Sequence, residues 1–421
     1  MIYSGDIMLD RCKKTVRSIR EKSSPANVFV WMMALSFAFY AVFYAFYGRA
    51  AFVDVFFSRC GDLFMDFFNS VRDASQGPAV YTERRVIYPP MANLIYLVCS
   101  KFIPDTYNRS DWFNRHSWMQ YPEAVFFICL FSLIFILVLY NLFHESVSGG
   151  RWTKFLFAFF AIFNIPVLYM IERGNIIIFC FISLLVYAMT YNSQNRVHRE
   201  LGLIALAFAF SLKLYPVIFG WFLLVDKRFK DAVRCAIYGV AMLILPSFFF
   251  GGLSCFVQVY KNITSFSAAV GTVNSISVVA GYSGIPEAVW NIGAYAWCFI
   301  CVLCFVLSPF IHRERWKCWM LGISFILTVP SLTAMYTWAF LLIPIIMFSN
   351  SDKFRRKDWF FFMIITILFM FTIFRFNYYL TINSLLLYPF TAILSITAVA
   401  DTVITGVRRY RARGEKVSEA E

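Results

Sequence analysis

The amino-acid sequence predicts an all-α polytopic membrane protein. Of its 421 residues, 60% are hydrophobic and only 15% are charged, far outside the range of soluble globular domains. Apolar runs long enough to cross a bilayer recur along the whole chain, and short basic runs stand between them. We therefore expect about twelve membrane-spanning helices.

The predicted spans are the apolar runs that approach the length a helix needs to cross the hydrocarbon core. They are 28–47, 89–104, 122–143, 155–171, 175–191, 201–225, 233–250, 291–311, 317–333, 335–349, 358–374 and 384–405. The run 201–225 has two interpretations. A single helix kinked at Pro216 gives twelve spans and leaves 196–200 outside, whereas two short helices that turn at Lys213 give thirteen and leave 196–200 inside. We favour the single helix.

The basic residues indicate how the chain lies in the membrane. The net charge is +14, but the Lys and Arg residues flank apolar runs instead of forming one basic face, which argues against nucleic acid as a partner. We expect a transmembrane domain over 28–405 between cytoplasmic basic segments at 1–27 and 406–421. The longest outer loops are then 48–88 and 251–290. The first span has no small-residue cleavage site after it and is expected to be a retained signal anchor.

Cysteine and histidine usage gives no metal signature. The run "CFICVLC" at 298–304 has ligand-like spacing, but no His or acid stands beside it, so packing is the better explanation. We expect no cofactor, disulfide framework or structural metal. A divalent metal in the active site is left open.

The segment from Gly61 to Pro90 is unusually polar for this chain. On a helical wheel its polar and apolar side chains fall on opposite arcs. The polar arc holds Asp62, Asp66, Asn69, Ser70 and Asp73, and the apolar arc holds Leu63, Phe64, Phe67, Phe68 and Val71. We expect an interfacial amphipathic helix on the outer face, directly after the first span. The alternative is a surface connector whose acids are simply solvated.

Two acids of this helix are candidate catalytic residues. Asp62 and Asp66 are one turn apart, so ionising both is unfavourable and one can hold a raised pKa suited to a general base. A helix that only anchors at lipid headgroups usually carries Lys and Arg on its polar face, and this one carries acids. Arg84 and Arg85 supply cations nearby. Tyr88 and the two prolines after it give an extended approach to the second span.

Further polar residues interrupt the apolar runs. Glu172, Arg173 and Asn175 surround Gly174, which permits a tight turn, and Arg173 can reach a phosphate there. The alternative is a turn with a local ion pair. Lys213 lies deep in an apolar run, where an ionisable residue indicates function unless its side chain snorkels to the surface.

Two later stretches suit carbohydrate recognition. Asn274 and Ser275 are uncharged polar residues in a segment flanked by glycines, which fits hydroxyl recognition or a re-entrant turn. Tyr336 could stack on a sugar ring or belong to the aromatic belt of a membrane protein.

The order of these motifs resembles glycosyltransferase family 87. The segments are "MDFFNSV", "YPP", "ERGN", "SLKLYP", "NSIS" and "PSLTAMYTW", and together they extend from about residue 60 to 345. The resemblance implies the GT-C fold, with about twelve transmembrane helices, and an enzyme that uses polyprenyl-phosphate sugars. Asp66 matches the family's catalytic acid, and Tyr88, Asn175, Lys213, Asn274 and Ser275 match its other motifs. Tyr336 stands where relatives often have His, which leaves Arg173 and Lys213 as the stronger phosphate-binding candidates.

The resemblance implies a hexosyl- or pentosyltransferase. It would move a sugar from a polyprenyl-phosphate donor to a membrane glycan or glycolipid acceptor at the outer face, with inversion. Asp66 would be the general base, with Asp62 as a second catalytic acid. The donor phosphate would be bound by Arg173, Lys213, Arg84 and Arg85. The substrate-binding residues would be Tyr88, Glu172, Asn175, Asn274, Ser275 and Tyr336. We expect a bacterial inner membrane location and a role in assembling envelope polysaccharide or glycolipid.

Two alternatives belong to other functional classes. A secondary transporter or lipid-linked glycan flippase would explain many spans and a buried lysine, but it predicts internal two-fold symmetry, which the sequence does not show. A polysaccharide polymerase would rely on Arg-rich outer loops and on diphosphate-linked oligosaccharides. The outer segments here are mixed in sign.

Overall fold

The described part of the chain is entirely helical. The computed structural model describes residues 24–48, 63–103, 121–270, 284, 286–328, 334–351, 355, 357–371 and 382–418. Within these ranges the regular structure consists of α-helices and short 3-10 helices, and no strand occurs. The predicted all-α class is confirmed.

The helices are unequal in length, and several are separated by short breaks. The α-helices are α1 (Pro25–Tyr47), α2 (Met65–Ala74), α3 (Ala79–Thr82), α4 (Pro90–Cys99), α5 (Pro122–Ser146), α6 (Arg151–Ile162), α7 (Ile165–Arg173), α8 (Ile177–Thr190), α9 (Arg196–Leu212), α10 (Trp221–Val225), α11 (Phe229–Ile244), α12 (Ser254–Val270), α13 (Glu287–Ile311), α14 (Arg315–Thr328), α15 (Leu342–Ser349), α16 (Asp358–Phe369) and α17 (Ile382–Ser418). The 3-10 helices are Ser100–Phe102, Tyr215–Gly220, Leu245–Phe250 and Met335–Leu341. Prolines stand at one of the first two positions of six of these α- and 3-10 helices, where their missing N–H is harmless.

Five helices in the described ranges are long and apolar enough to cross a membrane. They are Pro25–Tyr47, Pro122–Ser146, Phe229–Phe250, Ile292–Ile311 and Pro389–Ala412. The pair α6 and α7, bent by 53°, would make a sixth. The chain is therefore a multi-pass membrane protein, while the predicted twelve spans stay a prediction. The predicted span 89–104, for example, contains an α-helix of only 10 residues.

The favoured interpretation of 201–225 is wrong. Helix α9 ends at Leu212, Lys213 has extended backbone angles (φ −144°, ψ 132°), and a 3-10 helix begins at Tyr215. A Cβ on Gly220 would lie 3.8 Å from the Leu206 side chain, although a continuous helix would separate these residues by about 21 Å. The chain therefore turns back at Lys213, because Pro216 cannot continue the backbone hydrogen bonds of α9.

The turn at Lys213 brings the start of α9 close to the basic segment that follows the hairpin. Glu200, at the start of α9, forms a salt bridge with Arg234 and accepts a hydrogen bond from the Tyr238 hydroxyl at 2.5 Å. The segment 196–200 consequently lies beside the basic segment 226–234, as the two-helix alternative requires.

An α-helix, α2, forms within the segment predicted to be an amphipathic helix, and its amphipathic character at the membrane stays a prediction. Its apolar side chains Phe67, Phe68 and Val71 are buried, and the Phe67 ring lies 5.6 Å from the Phe127 ring, between centroids. These side chains pack against the rest of the protein. The location of α2 at the membrane interface stays a prediction, and Asp62 lies outside the described residues.

Charged and polar side chains collect at two ends of the helix bundle. One, the site end, holds Asp66, Asn175 and Lys213. The other, the basic end, holds Arg228, Arg315 and Lys317 with the acids that they contact. Helix α8 connects the two ends through 14 residues, which corresponds to about 21 Å along its axis.

Candidate active site

The position of Asp66 is fixed by the junction of two helices. Phe64, which precedes α2, has a left-handed backbone (φ 54°), and its N–H donates to the Glu172 carbonyl at 2.7 Å. This bond ties the start of α2 to the end of α7. Asp66 therefore lies in the first turn of α2, where the helix dipole favours a carboxylate.

Gly174 makes this junction possible. It ends α7 with a left-handed backbone (φ 60°), and a Cβ at this position would lie 2.8 Å from both Phe64 Cδ1 and Phe67 Cβ. A side chain would therefore push the two helices apart. With glycine, the chain turns tightly and presents Arg173 and Asn175 to Asp66.

Both oxygens of the Asp66 carboxylate are engaged. Oδ1 accepts from Arg173 Nε at 3.1 Å and also pairs with Arg173 Nη2, and Oδ2 accepts from Asn175 Nδ2 at 2.8 Å. The side chains of Asp66 and Arg173 are 20% and 13% exposed. The pair is thus held in one geometry while a face of it remains accessible.

Two tyrosine hydroxyls surround the same amide. Asn175 Nδ2 lies 3.1 Å from the Tyr88 hydroxyl and 3.4 Å from the Tyr336 hydroxyl, and the Ile177 N–H donates to Asn175 Oδ1 at 3.0 Å, which orients the amide. Burial, and secondarily the Asp66 charge, raises the pKa of Tyr88. Tyr88 therefore stays a neutral phenol that can donate or accept a hydrogen bond.

Lys213 reaches this cluster from the turn that follows α9. Its Nζ lies 4.3 Å from the centroid of the Tyr88 ring, in a cation–π contact. The ammonium also interacts electrostatically with the Asp66 carboxylate. The break in α9 therefore carries a cation into the site, and we call Asp66, Tyr88, Arg173, Asn175, Lys213 and Tyr336 the carboxylate cluster.

The other predicted site residues lie apart from this cluster or outside the described residues. Glu172 is buried, with 5% exposure, and its carbonyl serves the Phe64 contact described above. Arg84 Nε lies 3.8 Å from Asp73 Oδ1 instead of near Asp66, and Arg85 is exposed. Asp62, Asn274 and Ser275 fall outside the described ranges.

Two tyrosines missed by sequence reasoning support the cluster. The Tyr96 hydroxyl accepts from the Ile176 N–H at 3.0 Å and so holds the turn after Gly174, and the Tyr169 ring stacks on the Tyr336 ring at 5.9 Å between centroids. The signal for Tyr96 was a hydroxyl inside the apolar run 89–104. No group of His, Cys, Asp and Glu side chains in the described ranges is arranged to hold a metal ion.

An all-helical chain with several membrane-length helices and a partly exposed carboxylate cluster defines a multi-pass membrane protein with a candidate active site. The sequence profile of glycosyltransferase family 87 matches residues 87–344, more than half of the chain. The chain belongs to glycosyltransferase family 87 and is a membrane glycosyltransferase, which confirms the resemblance. No curated protein and no solved structure matches the chain. Five of the six cluster residues lie within the matched region, and Asp66 precedes it.

Proposed function

We propose that this membrane glycosyltransferase transfers a hexose or pentose from a polyprenyl-phosphate donor to a glycan or glycolipid acceptor. The observation that carries this proposal is the carboxylate cluster, in which one acid, two cations and three hydrogen-bonding side chains meet between apolar helices. A lipid-linked phosphate donor needs such cations, and an acceptor hydroxyl needs a base.

Asp66 is the proposed general base. The acceptor hydroxyl oxygen attacks the anomeric carbon, its proton passes to Asp66, and the bond from that carbon to the phosphate oxygen breaks. Among the described residues, Asp66 Oδ2 accepts one hydrogen bond, from Asn175, and so keeps a lone pair for this proton. This is a single displacement, in which the acceptor oxygen enters opposite the leaving phosphate, so it inverts the anomeric configuration.

Arg173 and Lys213 are the proposed partners of the donor phosphate. The leaving phosphate gains negative charge as the glycosidic bond breaks, and nearby cations stabilise that charge. Arg173 already holds Asp66, so it can couple the base to the phosphate. Lys213 contacts the Tyr88 ring and forms no ion pair within the described residues, which favours it as the cation that binds phosphate.

The aromatic residues of the cluster are proposed to bind the sugar. Tyr88 and Tyr336 present hydroxyls beside Asn175, and the stacked Tyr169 and Tyr336 rings offer an aromatic surface. Roles for Asp62, Glu172, Asn274, Ser275, Arg84 and Arg85 stay predictions. Tyr336 stands where relatives often have His, so we propose that its hydroxyl serves this part of the site in place of an imidazole.

We propose that the site end faces the outer side of a bacterial inner membrane. The basic end collects the Lys- and Arg-rich segments, which normally stay in the cytoplasm. Lys317 contacts Asp401 of α17 at 3.0 Å, so the C-terminal part of α17 belongs to the basic end. This orientation puts the donor phosphate and a cell-envelope acceptor on the same side as Asp66.

The test compares sugar transfer by purified wild type, Asp66→Asn and Asp73→Asn. Both acids lie on α2, but Asp73 pairs with Arg72 and stands outside the carboxylate cluster. We expect Asp66→Asn to lose at least about 100-fold in turnover, the usual contribution of a general base, while it still binds donor. Asp73→Asn should retain turnover.

The donor panel separates the competing classes of function. Transfer should require a polyprenyl-monophosphate monosaccharide and should not occur with a diphosphate-linked oligosaccharide, which a polymerase would use. Equal loss in both variants would place the base elsewhere. Transport of a lipid-linked glycan across liposomes without any sugar transfer would contradict the proposal.

A further inference from the structure

A large cavity opens at the basic end, on the other side of the bundle from Asp66. Its volume is about 1070 Å³. The ends of α5, α8 and α15 and the start of α14 form its walls. Asn350 joins two of these walls, because its Nδ2 donates to the Ser146 carbonyl at 2.6 Å and its Oδ1 accepts from the Ser148 N–H at 2.8 Å.

One side of this cavity is cationic. Arg313, Arg315 and Arg355 line it, against the single acid Glu314. Arg315 is neutralised by Asp226, whose Oδ1 lies 2.5 Å from Arg315 Nη2. Arg313 and Arg355 are exposed and form no ion pair within the described residues. Among the described residues, these two guanidinium groups therefore line the cavity without an ion-pair partner.

Other residues of the cavity lining are apolar. Leu185, Ala188, Ile343 and Ile346 are buried residues of α8 and α15 that line it, and the thioether side chain of Met347 lies beside them. A small hydrated anion would gain nothing from this wall. A molecule with an anionic head and a hydrocarbon chain would match both the cationic and the apolar residues.

We propose that this cavity binds the phosphate headgroup of an anionic membrane lipid. Arg313 and Arg355 would hold the phosphate oxygens, since planar guanidinium groups suit that geometry. The start of the lipid chain would lie along the Ile343 and Ile346 wall. The site is distinct from the carboxylate cluster, so it stands or falls independently of the proposed transferase reaction.

The convergence of these arginines distinguishes the cavity from ordinary charge at a membrane surface. Arg196 and Arg408 are exposed side chains outside the cavity lining, as expected for residues that only anchor the chain to headgroups. Arg313 and Arg355 come from segments about 40 residues apart in the sequence and meet at one cavity. Arg196 and Arg408 therefore provide a control pair with the same charge.

The experiment measures lipid-dependent thermal stability of the full chain in detergent. Wild type, Arg313→Gln/Arg355→Gln and Arg196→Gln/Arg408→Gln are titrated with phosphatidylglycerol, with phosphatidylcholine of the same acyl chains, and with inorganic phosphate. We expect phosphatidylglycerol to raise the Tm of wild type and of the control. The cavity variant should bind it at least about tenfold more weakly, as loss of paired charge-assisted contacts implies.

The cavity variant is expected to fold, because both side chains are exposed and the Arg355 backbone N–H keeps its 2.7 Å bond to Asp358 Oδ2. Equal loss in both double variants would mean a diffuse charge effect and would overturn the proposal. An equal Tm rise with inorganic phosphate would also overturn it, since the site would then bind free anions. The same would follow if phosphatidylcholine stabilised wild type as strongly as phosphatidylglycerol does.

Discussion

The two charged ends of the molecule differ in how far their charged side chains are exposed. At the site end, the charged residues come from helix ends and turns: Asp66 from the first turn of α2, Arg173 from the last residue of α7 and Lys213 from the break after α9. At the basic end, Lys317 lies between Asp358 and Asp401, at 2.7 and 3.0 Å. Lys317 and Asp358 also lie in the first turns of their helices, and Asp401 lies within α17.

The difference in exposure shows what each arrangement does. Lys317 and Asp358 are 3% and 0% exposed, so substrate cannot reach them, whereas Asp66 is 20% exposed. Charged side chains enclosed between helices are paired with one another and have no access to a ligand, whereas the partly exposed pair of Asp66 and Arg173 has. The basic-end triad therefore stabilises the bundle, and the site-end cluster is available for chemistry.

The largest expected effect on stability comes from Lys317→Met. It leaves the buried carboxylates of Asp358 and Asp401 without their shared cation, and losing one partner of a buried ion pair costs about 3–5 kcal/mol. The free energy of unfolding in detergent measures this loss. Lys357→Met is the matched control, because Lys357 contacts the same Asp401 but is 41% exposed. If both substitutions cost the same, the triad is not the structural element described here.

The next largest effect is expected from Gly174→Ala, which disrupts the junction between α7 and α2 at the site end. The new methyl group would meet Phe64 and Phe67 at 2.8 Å in a left-handed backbone. Backbone strain and overpacking together should cost about 2–4 kcal/mol. The turnover of sugar transfer should fall by more than the loss of folding free energy explains, because the displaced helix α2 carries Asp66.

Gly77→Ala provides the control for Gly174→Ala. Gly77 has the same left-handed backbone (φ 59°) but nothing within 4 Å of its added Cβ. We expect Gly77→Ala to show the backbone strain alone and to retain turnover. Similar losses of turnover in the two variants would indicate that the contact between α2 and Gly174 does not position Asp66.

A smaller effect is expected from Asn262→Ala, which removes neutral hydrogen bonds near the site end. Asn262 is 4% exposed, and its Nδ2 donates to the Tyr81 and Val86 carbonyls at 2.9 and 3.0 Å. Leaving these carbonyls unpaired should cost about 1–3 kcal/mol of unfolding free energy. Thr264→Ala, at an exposed position of the same helix, should change stability less. The reverse order would contradict the assignment.

These contacts also show how far the sequence could lead. Composition and apolar runs predicted the helical membrane class, and polar residues inside apolar surroundings, such as Lys213 and Arg173, identified members of what proves to be one cluster. Such residues are costly to bury without a reason, which makes them visible in a sequence. Their catalytic and binding roles stay predictions.

The path of the chain between those residues could not be read in the same way. A kinked helix and a hairpin at Lys213 have the same hydropathy, and they are distinguished by the backbone angles of Lys213 and by the approach of Leu206 to Gly220. The run 89–104 likewise has the composition of a span but forms a short helix. The partners of charged side chains could not be predicted from the sequence either, since Arg84 is near Asp66 in sequence but contacts Asp73.

Arg84→Gln should have the smallest effect on stability, because it removes an ion pair that is exposed to solvent. Arg84 is 43% exposed and 3.8 Å from Asp73, so solvent screens the pair and its loss should cost less than about 1 kcal/mol. Burial raises the pKa of Asp73, and Arg72 and Arg84 oppose that rise. Removing Arg84 therefore raises this pKa further, so any lost stability should appear as pH increases through it. Thermal unfolding across that pH range measures the change in stability. If stability is unchanged and the KM for the donor rises, the result would instead favour the predicted phosphate-binding role of Arg84.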